Sequence, residues 1–192
     1  MNTETQAKPN FKDKEISQDR RGGFRERPKS EYEEHVLQVD RVSRTVKGGK
    51  RARFRALVII GNRAGKIAMG VGKAAEVQVA VQKATTYAKR HILVVPIVNE
   101  TIPYPANIKN GAAHIILRPA KPGTSVIAGG TIRVICNLAG IRNMVAKILG
   151  TANKINNAQT TMLALQQMAK RYAEENPGKE INPTLKKDEN AK

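Results

Sequence analysis

The chain has 192 residues, with 34 Lys and Arg against 16 Asp and Glu, a formal net charge of +18 and an isoelectric point near 10.3. Its single cysteine, Cys136, excludes an internal disulfide, CxxC redox chemistry and clustered-thiolate zinc, and it fits a reducing compartment. No run is long and apolar enough to span a membrane and the N-terminus lacks the apolar core of a secretion signal, so a cytoplasmic protein with a polyanionic partner is expected.

The placement of the charge narrows this further. Residues 1–34 hold as many acids as bases, whereas residues 35–166 hold only three carboxylates, Asp40, Glu76 and Glu100, among many cations. The excess belongs to the part of the chain that can fold. A shaped basic surface, rather than a charged tail, meets the partner.

Residues 1–31 are polar, with Gly22-Gly23 and Pro28, and read as a disordered extension. A strand pattern starts at Glu33 and runs through Val42, Arg44 and Val46 to Lys47-Gly48-Gly49-Lys50, a hairpin whose glycines supply positive φ angles. The return strand is RARFRALVII. Its even positions, Ala52, Phe54, Ala56, Val58 and Ile60, form an apolar face, and its odd positions begin with an arginine stripe, Arg51, Arg53 and Arg55. Gly61 to Gly65 form a second turn, and Ile67, Met69 and Val71 alternate along a third strand of an antiparallel meander. A helix is predicted from about Lys73 to His91, with Val77, Ala80, Val81, Ala84 and Ala88 as its buried stripe.

Ile92 to Val98 reads as an edge strand because Pro96 interrupts it. TIPYPANIKNG is expected to be a loop, AHIILRP a strand, and KPGTSVIAGG a glycine-rich connection to a helix over Thr131–Leu138. Gly129-Gly130 before that helix suits either an anion held by backbone N–H groups or close packing, the commoner use of glycine at turns. A shorter helix is predicted near Asn143–Leu149 and a long one over Ile155–Tyr172, stopping before Asn176-Pro177-Gly178, with an unstructured tail beyond.

The stretch IAMGVGKAAEV carries Gly70-x-Gly72-x-x-Ala75 after a strand, part of a dinucleotide-binding fingerprint, with Glu100 at a plausible distance for ribose. Context opposes that reading. The fingerprint opens a parallel sheet, whereas here an antiparallel meander ends at these glycines, which instead let the strand lie close under a helix. Gly61 to Gly65-Lys66 is one residue short of a phosphate-binding loop, and neither Lys66 nor Lys73 precedes Ser or Thr. His35, His91 and His114 have no ligand or catalytic spacing, and the few carboxylates offer no acid/base pair or magnesium site. No enzyme, metal or cofactor is expected.

The cations Arg41, Arg44, Lys47, Lys50, Arg51, Arg53 and Arg55 cluster around one hairpin, where self-repulsion calls for a phosphate backbone. With no Trp, three Phe and four Tyr, stacking on single-stranded bases is poorly supplied, so helical RNA read by shape and phosphate fits best. Lys147, Lys154 and Arg142 are candidate extensions of that surface.

KGGKRARFRALVIIGNRAGKIAMGVGKAAEVQVAVQKA, with RVSRTVKGG before it and GTSVIAGGTIRVICNLAGIRNMVAKILG after it, closely resembles the bacterial small-subunit ribosomal protein S5 family, from about Glu33 to Tyr172. Departures are Ala68 and Ser125, where the family usually has glycine, and Asn153-Lys154 in place of Asn-Pro. The resemblance implies an α+β fold. A double-stranded-RNA-binding-like domain of three antiparallel strands and a helix (residues 32–95) is followed by a two-layer α/β domain (96–173), flanked by a disordered extension (1–31) and a flexible tail (174–192). It also implies a non-enzymatic constituent of the small ribosomal subunit that binds ribosomal RNA, neighbours proteins S4 and S8, does not form a stable homo-oligomer, and contributes to assembly and translational accuracy. The expected RNA-binding residues are Arg41, Arg44, Lys47, Gly48, Gly49, Lys50, Arg51, Arg53 and Arg55, with Lys73 at the helix start. In the family the hairpin around Val46 to Lys50 lies near the spectinomycin-binding region of the RNA.

Overall fold

The computed structural model describes residues 31–177. Of the extension expected over 1–31 only Glu31 falls within them, and of the tail expected over 174–192 only residues 174–177; the rest lies outside the described residues. The long strands β1 (Glu33–Val46) and β2 (Gly49–Gly61) pair antiparallel, followed by β3 (Lys66–Ala74), helix α1 (Val77–Lys89) and the two-residue edge strand β4 (Leu93–Val94). The sheet order is β1-β2-β3-β4.

The even face of β2 packs under α1 as the sequence predicts: Ala56, Val58 and Ile60 meet Ala80, Ala84 and Ala88 across the helix interface. Gly70 and Gly72 of β3 make that contact possible. A Cβ at Gly70 would stand 2.0 Å from the Ala84 carbonyl oxygen, and one at Gly72 would stand 2.2 Å from that of Ala80. The glycines that imitate a dinucleotide turn are the floor of a helix. Thr85 Oγ1 donates to Glu34 Oε2 at 3.2 Å and Lys89 pairs with Glu34 at 3.1 Å, which ties α1 back to β1.

The helix begins at Val77, not Lys73, because pairing with β2 holds the chain extended through Ala74. Lys73 is therefore a strand residue opposite Arg55. The odd face of β2 also differs from expectation: the arginine stripe ends at Arg55, and Leu57 and Ile59 beyond it are fully buried.

What buries them is the second half of the chain. Strands β5 (Ala106–Asn110), β6 (Ala113–Pro119), β7 (Val126–Ile127) and β8 (Met144–Ile148) form a mixed sheet of order β5-β6-β8-β7, with helix α2 (Gly130–Ala139) in the parallel crossover from β7 to β8 and α3 (Lys154–Glu175) after it. Ile132 and Ile135 of α2 and Ala158, Leu165 and Met168 of α3 fill a core with Ile115 and Leu117 of β6 on one side and Leu57 and Ile59 of β2 on the other. The layers run helix, sheet, helix pair, sheet.

Three strands correct the sequence reading. The predicted helix over Asn143–Leu149 is strand β8: Met144 and Ala146 point inward, Val145 and Lys147 outward, a period of two that five residues share with a helix turn. TIPYPANIKNG is not all loop, since Ala106–Asn110 pair with Ala113–Leu117 as β5, and KPGTSVIAGG contains the short β7. Ile92–Val98 contributes only Leu93–Val94 to the edge of the first sheet. The last helix is longer than predicted, starting at Lys154 behind Asn153, whose side chain accepts from the Ile155 N–H at 3.1 Å. Its far end is pinned by Tyr104, which donates to Glu175 and lies under the Arg171 guanidinium, 4.4 Å from the ring centre.

Candidate nucleic-acid interface

Residues opposite one another in an antiparallel pair project from the same face. Arg44 stands opposite Arg51, Val42 opposite Arg53, and Asp40 opposite Arg55, which in turn faces Lys73 across β3. Arg44, Arg51, Arg53, Arg55 and Lys73 therefore share one face of the sheet. Arg41 lies opposite Phe54 and Lys50 opposite Thr45, so these two cations project from the other face. Lys47 and Gly48 form the tip, where Gly48 adopts φ 101° and Gly49 opens β2 at φ 153°. The structure thus divides the predicted cluster between two faces and an end.

The third strand supports only part of this surface. Pairing between β2 and β3 stops at Phe54 and Ala74, so from Val42 to Arg53 the chain is a bare two-stranded ribbon, roughly 17 Å long for the five residues of β2. Every residue from Ser43 to Arg53 is exposed except Val46. Nothing lies within 4 Å of where a Cβ would stand at Gly48 or Gly49. Arg41, Arg44, Lys47, Lys50, Arg51, Arg53 and Lys73 form no ion pair among the described residues.

Arg55 is different. Its Nη2 donates to Asp40 Oδ2 at 2.7 Å, and Gln38 Nε2 donates to Asp40 Oδ1 at 2.5 Å. The Arg55 hydrogen bond, seconded by Gln38 and by the positive charges of Arg55 and Lys154, holds the Asp40 carboxyl below the usual carboxylate range. Sequence reasoning missed this clamp because alternation along each strand does not record cross-strand register; the Lys47-Gly48 turn sets it from the Val46–Gly49 pair inward, which brings Asp40 opposite Arg55, and the bulge between Val36 and Gln38 lies beyond them. Of the three candidate extensions, Lys154 reaches the field of Asp40, Arg142 pairs with Glu100 at 2.6 Å, and Lys147 lies on the outer face of the second sheet, apart from the ribbon and so not an extension of its surface.

The Arg142–Glu100 pair lines a cleft of about 1050 Å³ between the two halves. The non-glycine residues with left-handed backbones among those described, Arg63, Asn99, Glu100 and Ser125, all border it. Ser125 has φ 59°, a left-handed backbone that favours glycine, and the buried Asn143 holds it there by accepting from the Ser125 and Gly123 N–H groups, each at 3.1 Å. No group of three or more His, Cys, Asp or Glu side chains suited to a metal occurs among the described residues. Cys136 is buried in the core, and burial pushes its thiol up to about 12.

A helix-backed antiparallel sheet prolonged by a cationic two-stranded ribbon, joined to a second helix-covered sheet, defines the class as α+β. The comparisons make this specific. The family described as "Ribosomal protein S5, N-terminal domain" matches residues 32–96 and "Ribosomal protein S5, C-terminal domain" matches residues 108–175. The chain is 48% identical over 151 residues to "Small ribosomal subunit protein uS5" of Prochlorococcus marinus (strain MIT 9313), covering 78% of this chain and 71% of that relative. It is likewise 48% identical over 137 residues to the protein of the same name from Thermosynechococcus vestitus, covering 71% and 79%. The chain belongs to the ribosomal protein S5 family. It is a structural, non-enzymatic constituent of the small ribosomal subunit in the cytoplasm, and the ribosome with its RNA is its partner.

Proposed function

We propose that the chain makes its principal contact with ribosomal RNA through the β1–β2 ribbon. Arg44, Arg51, Arg53 and Lys73 neutralise phosphates on one face, Arg41 and Lys50 on the other, and Lys47 at the tip. Arg55, engaged by Asp40, orients the stripe and contributes less. The observation that carries this reading is a projecting ribbon whose cations, Arg55 apart, have no counter-charge among the described residues. Gly48 and Gly49 let the tip turn with positive φ, and substitutions there are expected to alter both subunit assembly and spectinomycin response, as the family resemblance suggests. Residues 32–95 act as the RNA-binding domain and 96–173 as the domain that meets protein neighbours, with S4 and S8 as the partners the resemblance favours. Through these contacts the chain supports assembly and accurate decoding.

The test is the salt dependence of affinity for a ribosomal RNA fragment. Replacing Arg44, Arg51 and Arg53 together by Gln should lower affinity and reduce the slope of log K against log salt by roughly 2–3, about 0.9 for each helical phosphate no longer neutralised. Arg55→Gln alone should change the slope by less than any one of those. A triple variant with unchanged slope would reject the ribbon as the phosphate-binding element.

A further inference from the structure

The second sheet has one face packed on α2 and α3 and one face that no other described element covers. Its register assigns that second face: Asn107 and Lys109 of β5, His114, Ile116 and Arg118 of β6, Val145 and Lys147 of β8, and Ile127 of β7. Leu149 continues the pattern, since its N–H donates to the His114 carbonyl at 2.9 Å, one step beyond the Ile115–Ile148 pair. Across the two central strands the residues alternate in kind: Val145 sits beside Arg118, Lys147 beside Ile116, and Leu149 beside His114. A sheet face turned to water ordinarily carries polar side chains. Here Ile127 is 53% exposed, Leu149 52% and Val145 37%.

We propose, resting on the reading that residues 96–173 meet protein neighbours, that this face is a protein-docking surface whose partner presents an aliphatic centre interleaved with Asp and Glu. Three features select that occupant. Aliphatic side chains this exposed are covered by apolar surface, which a phosphate backbone does not offer, and the face has no aromatic ring on which a base could stack. Lys109, Arg118 and Lys147 form no ion pair among the described residues, and no residue of the face is acidic, so its cations are complementary to a partner's carboxylates. A second copy of the chain laid face to face would set cation against cation. The result is an interface of apolar core and charged edge, of the usual protein–protein kind, distinct from the RNA-binding ribbon.

The test uses the full chain assembled into small subunits in cells, with a photoreactive benzoylphenylalanine in place of Ile127. Irradiation of purified subunits should join this position to one protein, at a peptide with Asp or Glu among aliphatic residues. In the same chain, Arg118→Glu with Lys147→Glu should lower the adduct yield roughly tenfold or displace the chain from subunits. Its affinity for the ribosomal RNA fragment should stay within about twofold, which also reports that the variant is folded. Lys147→Gln should give an intermediate loss. An adduct with RNA, an adduct with a second copy, no adduct, or a protein adduct indifferent to the charge reversals would each overturn the proposal. Because RNA affinity is read separately, failure here leaves the ribbon assignment standing, and the converse holds.

Discussion

Among the described residues Asp40 is the one carboxylate set among the ribbon cations, and its bond to Arg55 has opposite consequences for stability and for binding. Its folded-state pKa is depressed, so the contribution to stability is present above the unfolded carboxylate range and is lost as pH falls through the folded value. Both side chains are partly exposed, which keeps that contribution to about 0.2–1 kcal/mol. Asp40→Asn should therefore cost about that much in urea unfolding at neutral pH, and the gap to the parent should close in acid. The same substitution releases Arg55 and removes a repelled anion, so affinity for the RNA fragment should rise. A fall in affinity would mean that Asp40 orders the stripe more than it competes with phosphate.

The contact of β3 with α1 is the tightest in the first half of the molecule, because the helix backbone approaches where Gly70 and Gly72 offer no side chain. Gly70→Ala pushes a methyl group against the Ala84 carbonyl, and the helix must lift. Overpacking of this kind costs about 1–3 kcal/mol, so the melting temperature should fall by roughly 3–10 °C, whereas Ala68→Gly on the same strand should act only through reduced burial. A neutral Gly70→Ala would show that α1 is free to shift. These glycines were legible in the sequence because an antiparallel meander leading into them left no place for a nucleotide. The strands β1, β2 and β3 were legible through their alternation. The strand β8 was not, since MVAKI is too short for its period to declare itself, and β5 was hidden by the Pro, Asn and Gly around it. Both are strands because β6 lies between them and offers hydrogen bonds to each side, which no local pattern records.

The cationic residues of the ribbon were all visible in the sequence, but their division between two faces and the engagement of Arg55 required the register. So did the burial of Leu57 and Ile59, which alternation alone assigned to the same face as the arginines. These two side chains join the core that α2 and α3 share with the second sheet, so the two halves hold one interior in common beside the first half's own core under α1. Unfolding of the whole chain should accordingly be one cooperative transition, with circular dichroism of the helices and a fluorescent probe placed on β1 reporting coincident midpoints. Two resolved transitions would show that the shared core contributes little.

That common interior also bears on synthesis. When the polypeptide has emerged only as far as β4, Leu57, Ile59 and Ile67 face solvent with no cover, because the helices that shelter them are still being translated. The nascent first half is therefore a sticky half-product, and the interval before α2 and α3 arrive is when a chaperone would have to shield it.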